Sequence, residues 1–185
     1  MSHRVCPWWI GYFLISPLRG LQYRPSDILA PFVREGQTVL EPGPGMGFFT
    51  LELARRVGAS GRIIAIDIQQ KMLDRLKRRA AKAGLLDRID VRLASPDSLG
   101  LGDLAGRIDF TLAFAVVHEF PDAARFFREV AAASKPGALL LLAEPKGHVS
   151  DSDFRTELQL ASSAGFEVVD RPTIKRSLTA VLKKA

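Results

Sequence analysis

The sequence predicts an α/β fold: a doubly wound, three-layer sandwich around a mostly parallel seven-stranded sheet with an antiparallel last strand. Three observations predict it. Short apolar runs alternate with amphipathic helical stretches along most of the chain, the pattern of strands covered on both faces by helices. A glycine-rich loop, Glu41-Pro-Gly-Pro-Gly-Met-Gly47, joins the first apolar run to the first amphipathic stretch. The last two apolar runs, Phe166 to Asp170 and Leu178 to Lys183, lie seven residues apart. Parallel neighbours need a connection of about a dozen residues or more, so the last strand must run antiparallel.

Each element follows in order. Thr38-Val39-Leu40 is a short strand entering the glycine loop, and Phe48 to Val57 reads as a helix broken by Gly58 and Gly61. Arg62 to Ile66 is a near-continuous apolar strand that ends at Asp67. A helix then runs to Gly84, with Leu73, Leu76, Ala80 and Ala83 on one side and Lys71, Arg75, Arg78, Arg79 and Lys82 on another. Ile89 to Ala94 and Ile108 to Val117 are the third and fourth strands, the latter apolar over most of its length as a strand buried on both faces must be. Asp122 to Ala133 is a helix with Phe126, Phe127 and Val130 inward, ended by Lys135-Pro136-Gly137, and Ala138 to Ala143 is the fifth strand. Ser152 is expected to cap a last helix carrying Phe154, Leu158 and Ala161, with Gly165 at its end.

Composition narrows the functional classes. The chain has 185 residues, 47% hydrophobic and 25% charged, which fits a single domain spanning 1–185, with 1–30 as an N-terminal lid or substrate segment and 31–185 as a cofactor-binding core. One cysteine, Cys6, excludes an internal disulfide and a cysteine-based metal cluster, and no metal site is expected; a reducing, cytoplasmic setting fits. The stretch Val5 to Ser16 resembles a signal peptide, but Pro7 and two tryptophans open it poorly, no small-residue cleavage pattern closes it, and it is shorter than the ~20 apolar residues that span a bilayer. The net charge of +6 concentrates in the basic helix, yet no aromatics interleave there to stack bases, so a solvated face is the reading and nucleic acid is not the expected partner.

The glycine spacing excludes two familiar nucleotide loops. Counted from Gly43 it runs G-P-G-M-G, and the third position of the dinucleotide fingerprint G-x-G-x-x-G is the bulky Phe48. No Lys-Ser or Lys-Thr follows the glycines, as a phosphate-binding P-loop requires.

Glu41-Pro-Gly-Pro-Gly-Met-Gly47 resembles the E/D-x-G-x-G-x-G motif of class I S-adenosylmethionine-dependent methyltransferases, whose fold is Rossmann-like. RIIAIDIQQKML resembles their second strand with its terminal acid. VHEFPDAARFFREVAAASKPGALLLLAEP resembles the fourth strand to the fifth in the group containing the ubiquinone/menaquinone-type C-methyltransferases, and the C-terminal hairpin resembles theirs. The resemblance implies roles. Asp67 would accept hydrogen bonds from the ribose hydroxyls, Glu41 would meet the methionine amino group, and Gly43, Gly45 and Gly47 would form the loop that approaches the cofactor. Ile68 would pack on the adenine face, although an apolar residue there could equally be core. Ser95 stands where many relatives carry an acid for the adenine amino group, and Tyr23 would help close the methionine end. His118, with Glu119 beside it, would face the methyl group; a base and a histidine that lines the site or caps the strand both stay open.

The function implied is methyl transfer from S-adenosylmethionine, with S-adenosylhomocysteine as product, to a small, lipophilic or aromatic acceptor. The aromatic segment Cys6 to Tyr23 is the candidate to line its pocket. Alternatives left open are an enzyme reading RNA or protein through the basic helix, a non-catalytic cofactor-binding module and, against the loop spacing, a nicotinamide oxidoreductase. A homo-oligomer and a peripheral membrane contact through the aromatic segment also stay open.

Overall fold

The computed structural model describes residues 23–185. Of the expected N-terminal lid, 1–30, residues 1–22, with Cys6, Trp8, Trp9 and Phe13, lie outside the described residues. Seven strands form the sheet, in the order β3-β2-β1-β4-β5-β7-β6. The described residues divide into two compact units, 23–94 and 95–185.

The first unit holds α1 (Pro25–Leu29), β1 (Thr38–Pro42), α2 (Thr50–Arg56), β2 (Arg62–Asp67), α3 (Gln70–Lys82) and β3 (Ile89–Leu93). Its three strands are parallel, with Glu41 level with Ala65 and Asp67 level with Leu93. Ile63, Ile64, Ala65 and Ile66 are all buried, the signature of a strand covered on both faces. The short helix α1 was not expected from the sequence; Pro25 at its first turn supplies a fixed φ where no intrahelical N–H is needed. α2 starts at Thr50 rather than Phe48, because residues 45–49 turn instead of coiling, with Gly47 N–H bonded to Pro44 O at 2.9 Å. α3 buries Met72, Leu73, Leu76 and Ala80, whereas Ala83 is exposed, so its inward stripe begins one residue earlier than expected.

The second unit holds β4 (Ile108–Phe114), α4 (Ala123–Ala133), β5 (Ser134–Pro145), α5 (Asp151–Ser163), β6 (Phe166–Asp170) and β7 (Ser177–Lys184). β4 and β5 are parallel, and β7 runs antiparallel to both β5 and β6, as the short final connection requires. Three boundaries depart from expectation. β4 stops at Phe114, because Ala115 takes a left-handed backbone (φ 57°) and residues 117–119 form a tight turn. Ser134 to Gly137 joins β5 rather than ending α4 as a loop; the Ser134 hydroxyl donates to Val130 O at 2.7 Å across the junction. Ser150, not Ser152, caps α5, accepting from Asp153 N–H at 3.1 Å. No helix among the described residues is long and apolar enough to cross a membrane.

Candidate functional site

In the first unit the carboxyl ends of β1 and β2 carry the two acids singled out from the sequence, Glu41 and Asp67, both buried. Ligands of open α/β sheets bind at such strand ends. Gly43 N–H donates to Ile66 O at 2.8 Å, continuing the ladder into the loop. Asp67 Oδ2 then accepts from Gly45 N–H at 3.3 Å and Oδ1 from Gln69 N–H at 2.9 Å. The carboxylate is therefore held before any ligand arrives, and each oxygen keeps a further lone pair to accept from a hydroxyl. Burial raises its pKa above the usual aspartate range, opposed by the amides of Gln69, Gly45 and Ile68, which stabilise the ionised form.

The glycines have different duties. Gly45 has φ 54° and open space where a Cβ would stand. Gly47 has φ 85°, and a Cβ there would lie 2.5 Å from Leu76 Cδ1, so it is glycine for packing against α3 as well as for turning. Met46 and Phe49 are buried and anchor the loop between them. A further anchor was not anticipated: Arg79 Nη1 donates to Met46 O. The assignment of Arg79 to a purely solvated basic face is thus corrected; it is half-buried, and burial lowers its pKa. Lys71, Arg75, Arg78 and Lys82 are exposed, as expected.

Ile68, directly after Asp67, is 37% exposed, which removes the core reading for it. Tyr23 is buried just ahead of α1. These features fit a nucleoside with an adjacent charged tail: a fixed buried carboxylate for vicinal hydroxyls, a loop with room for close backbone approach, and an accessible apolar face next to both.

In the second unit, Ser95 is exposed and bridges to Ser98. His118 sits in the turn after β4, beside Glu144 of β5, which is fully buried. Glu144 Oε1 accepts from Val116 N–H at 3.3 Å and Val117 N–H at 2.8 Å, while Oε2 meets His118 Nδ1. The left-handed turn at Ala115 aims these amides inward. Burial alone would lower the His118 pKa, but the hydrogen bond and charge of Glu144, with the charge of Glu119, raise it overall above the usual histidine value. The His148 ring stands edge-on to that of His118, with centroids 6.0 Å apart. Glu157 of α5 is buried, and its Oε2 finds no hydrogen-bond partner among the described residues. Burial, then the charges of Glu144 and Asp153, push its pKa up to about 8. Among the described residues no group of three or more His, Cys, Asp or Glu could hold a metal ion.

Sequence reasoning missed Glu144, Glu157, His148 and Arg79. A signal existed for the first two: Glu144 is the one acid interrupting the apolar run of β5, and Glu157 falls on the buried stripe of α5 with Phe154, Leu158 and Ala161.

The family described as "Methyltransferase domain" matches residues 40–142. A SAM-dependent methyltransferase from Aquifex aeolicus superposes with a TM-score of 0.84 at 25% identity, covering 97% of this chain and 98% of that one. The ubiquinone/menaquinone biosynthesis C-methyltransferase UbiE of Klebsiella pneumoniae is 30% identical over 113 residues, 60% of this chain and 44% of that protein. An uncharacterized transposon protein of Streptomyces fradiae is 33% identical over 123 residues, 66% of this chain and 34% of its own length. The chain thus spans less than half the length of these two curated relatives.

Proposed function

The chain belongs to the methyltransferase-domain family of class I fold, with S-adenosylmethionine as its cofactor, and we propose that it transfers the cofactor's methyl group to a small, lipophilic or aromatic acceptor in the cytoplasm. The observation that carries this reading is the Asp67 carboxylate, fixed at the end of β2 by the amides of Gly45 and Gln69 with lone pairs to spare. It is suited to the two ribose hydroxyls, since charge-assisted hydrogen bonds to a preset acceptor are the strong ones. Gly43, Gly45 and Gly47 shape the loop along the cofactor, with Gly45 leaving room for close approach. Ile68 offers its exposed side chain to the adenine face, and Ser95 is assigned to the adenine edge. Glu41, buried at the end of β1, is assigned to the methionine amino group, whose positive charge offsets the desolvation of a buried acid. Tyr23 is assigned to the methionine end and His118 to the acceptor.

Methyl transfer from a sulfonium is an in-line displacement, so holding acceptor and donor in line can supply most of the acceleration. Calorimetric titration with S-adenosylhomocysteine and with NADH tests the assignment. The former should bind and the latter should not, and Asp67→Ala should weaken the former by about 1.5–3 kcal/mol in a folded protein. Tight NADH binding alone would end the reading. Unchanged affinity in the variant would move the ribose site elsewhere.

A further inference from the structure

The second unit contains a histidine arranged to take a proton. Glu144 is fully buried, and its oxygens are met by two backbone amides and by His118 Nδ1. A carboxylate in that position accepts hydrogen bonds, so Nδ1 must carry the proton and Nε2 must present its lone pair. Nε2 makes no hydrogen bond among the described residues, and the side chain stays partly accessible at 22%. The turn that sets this geometry begins at Ala115, a non-glycine residue in the left-handed region, where strain persists only if its surroundings impose it.

The other charged neighbours preserve the arrangement. Glu119 lies in the same turn, His148 approaches edge-on from the loop after β5, and the charge of Glu144 reaches Glu157 on the buried side of α5. With its pKa near 8, Glu157 is protonated at neutral pH, so a second buried negative charge does not reach Glu144. Were it ionised, it would favour the imidazolium further and leave less of the basic form available.

On the methyltransferase reading above, we propose that His118 is the general base and Glu144 its positioning residue, and that the acceptor class is an oxygen or sulfur nucleophile that arrives protonated, with the acidity of a phenol or a thiol. Nε2 takes the acceptor's proton while the electron pair left on oxygen or sulfur forms the bond to the methyl carbon. The carbon–sulfur pair of the donor returns to its sulfur, which becomes a neutral thioether. The positive charge moves to His118, where the Glu144 carboxylate stabilises it. A neutral amine or a thioether needs no such base. An imidazole with its pKa raised is matched to a weakly acidic acceptor, because proton transfer is most effective when donor and base lie close in pKa.

Nitrogen-resolved NMR of histidine-labelled full chain, bound to S-adenosylhomocysteine and followed from acid to alkaline pH, reads the arrangement directly. His118 should carry its proton on Nδ1 above its midpoint and titrate above the usual histidine value. Glu144→Gln should lower the midpoint and move the proton to Nε2, because the amide N–H₂ then donates to Nδ1. A wild-type His118 protonated on Nε2 would overturn the proposal, as would a midpoint indifferent to Glu144→Gln. Methyl transfer from labelled donor to phenol, thiophenol and aniline gives the chemical arm. The hydroxyl or the thiol should accept, with the rate rising through the His118 midpoint, and any label on aniline should be indifferent to that midpoint. His118→Gln should lose about 100-fold or more in kcat with S-adenosylhomocysteine affinity within about twofold. Label on phenol and thiophenol at equal rate in wild type and His118→Gln would refute the base. Should Glu144→Gln fail to fold, the wild-type spectrum and His118→Gln decide. Absence of S-adenosylhomocysteine binding to the wild type would instead remove the methyltransferase reading.

Discussion

Glu157→Gln should stabilise the protein near neutral pH and do little in acid. Glu157 is an acid on the buried face of α5, with one oxygen unbonded among the described residues and the Glu144 carboxylate nearby. Its pKa rises from an ordinary 4.5 to about 8 through burial first and then through the charges of Glu144 and Asp153. For an acid with a raised folded-state pKa, the folded protein holds a proton that the unfolded chain has released between those two values. Stability must therefore fall as pH rises from about 4.5 to about 8, and level off outside that window. At roughly 1.4 kcal/mol per pH unit the whole effect approaches 5 kcal/mol. Between about pH 5 and about pH 7.5 it amounts to about 3 kcal/mol. Glutamine keeps the shape of the protonated acid and cannot ionise, so the variant should gain that amount over wild type across the interval. Urea unfolding of both proteins at the two pH values measures it, and a melting scan should show a Tm difference that widens by roughly 6–12 °C. An equal gain at both pH values would show that Glu157 ionises as freely folded as unfolded, and the reasoning would fail.

Gly47→Ala should destabilise by about 1–3 kcal/mol in urea, since alanine resists φ 85° and its Cβ would meet Leu76 Cδ1 at 2.5 Å; an unchanged midpoint would mean the loop re-forms freely. Arg79→Met should leave secondary structure intact but weaken S-adenosylhomocysteine binding by about 0.5–1.5 kcal/mol, the net worth of one hydrogen bond that holds Met46 O in the loop. Arg75→Ala with Arg78→Ala, both exposed, should leave turnover of a small acceptor unchanged, and a large loss would favour an RNA or protein substrate read through α3.

The succession of strands and helices and the antiparallel direction of β7 could be read because their causes are local. Four buried apolar residues in β2, a glycine loop with three positive φ values, and a C-terminal connection too short for a helix each act through neighbours in the chain. For the same reason Asp67 could be singled out as a candidate: its partners are Gln69, two residues on, and Gly45 of the glycine loop. Boundaries suffered where a turn overrode a pattern. The apolar run after Phe114 continues to Val117, yet the left-handed turn at Ala115 ends the strand, since local hydrophobicity does not encode the demand of Glu144 for two backbone amides.

By itself the sequence determined the fold class and singled out Asp67 and His118 as candidates. The tertiary structure alone decided what His118 is bonded to and what secures the loop. His118 and Glu144 lie 26 positions apart, and Arg79 and Met46 lie 33 apart. An acid in the fifth strand and an arginine on a basic stripe look alike in sequence whether they face water or a partner. Only packing, which buries Glu144 completely and turns Arg79 toward the loop, selects between those states, because burying a charge without a partner is too costly for a fold to tolerate.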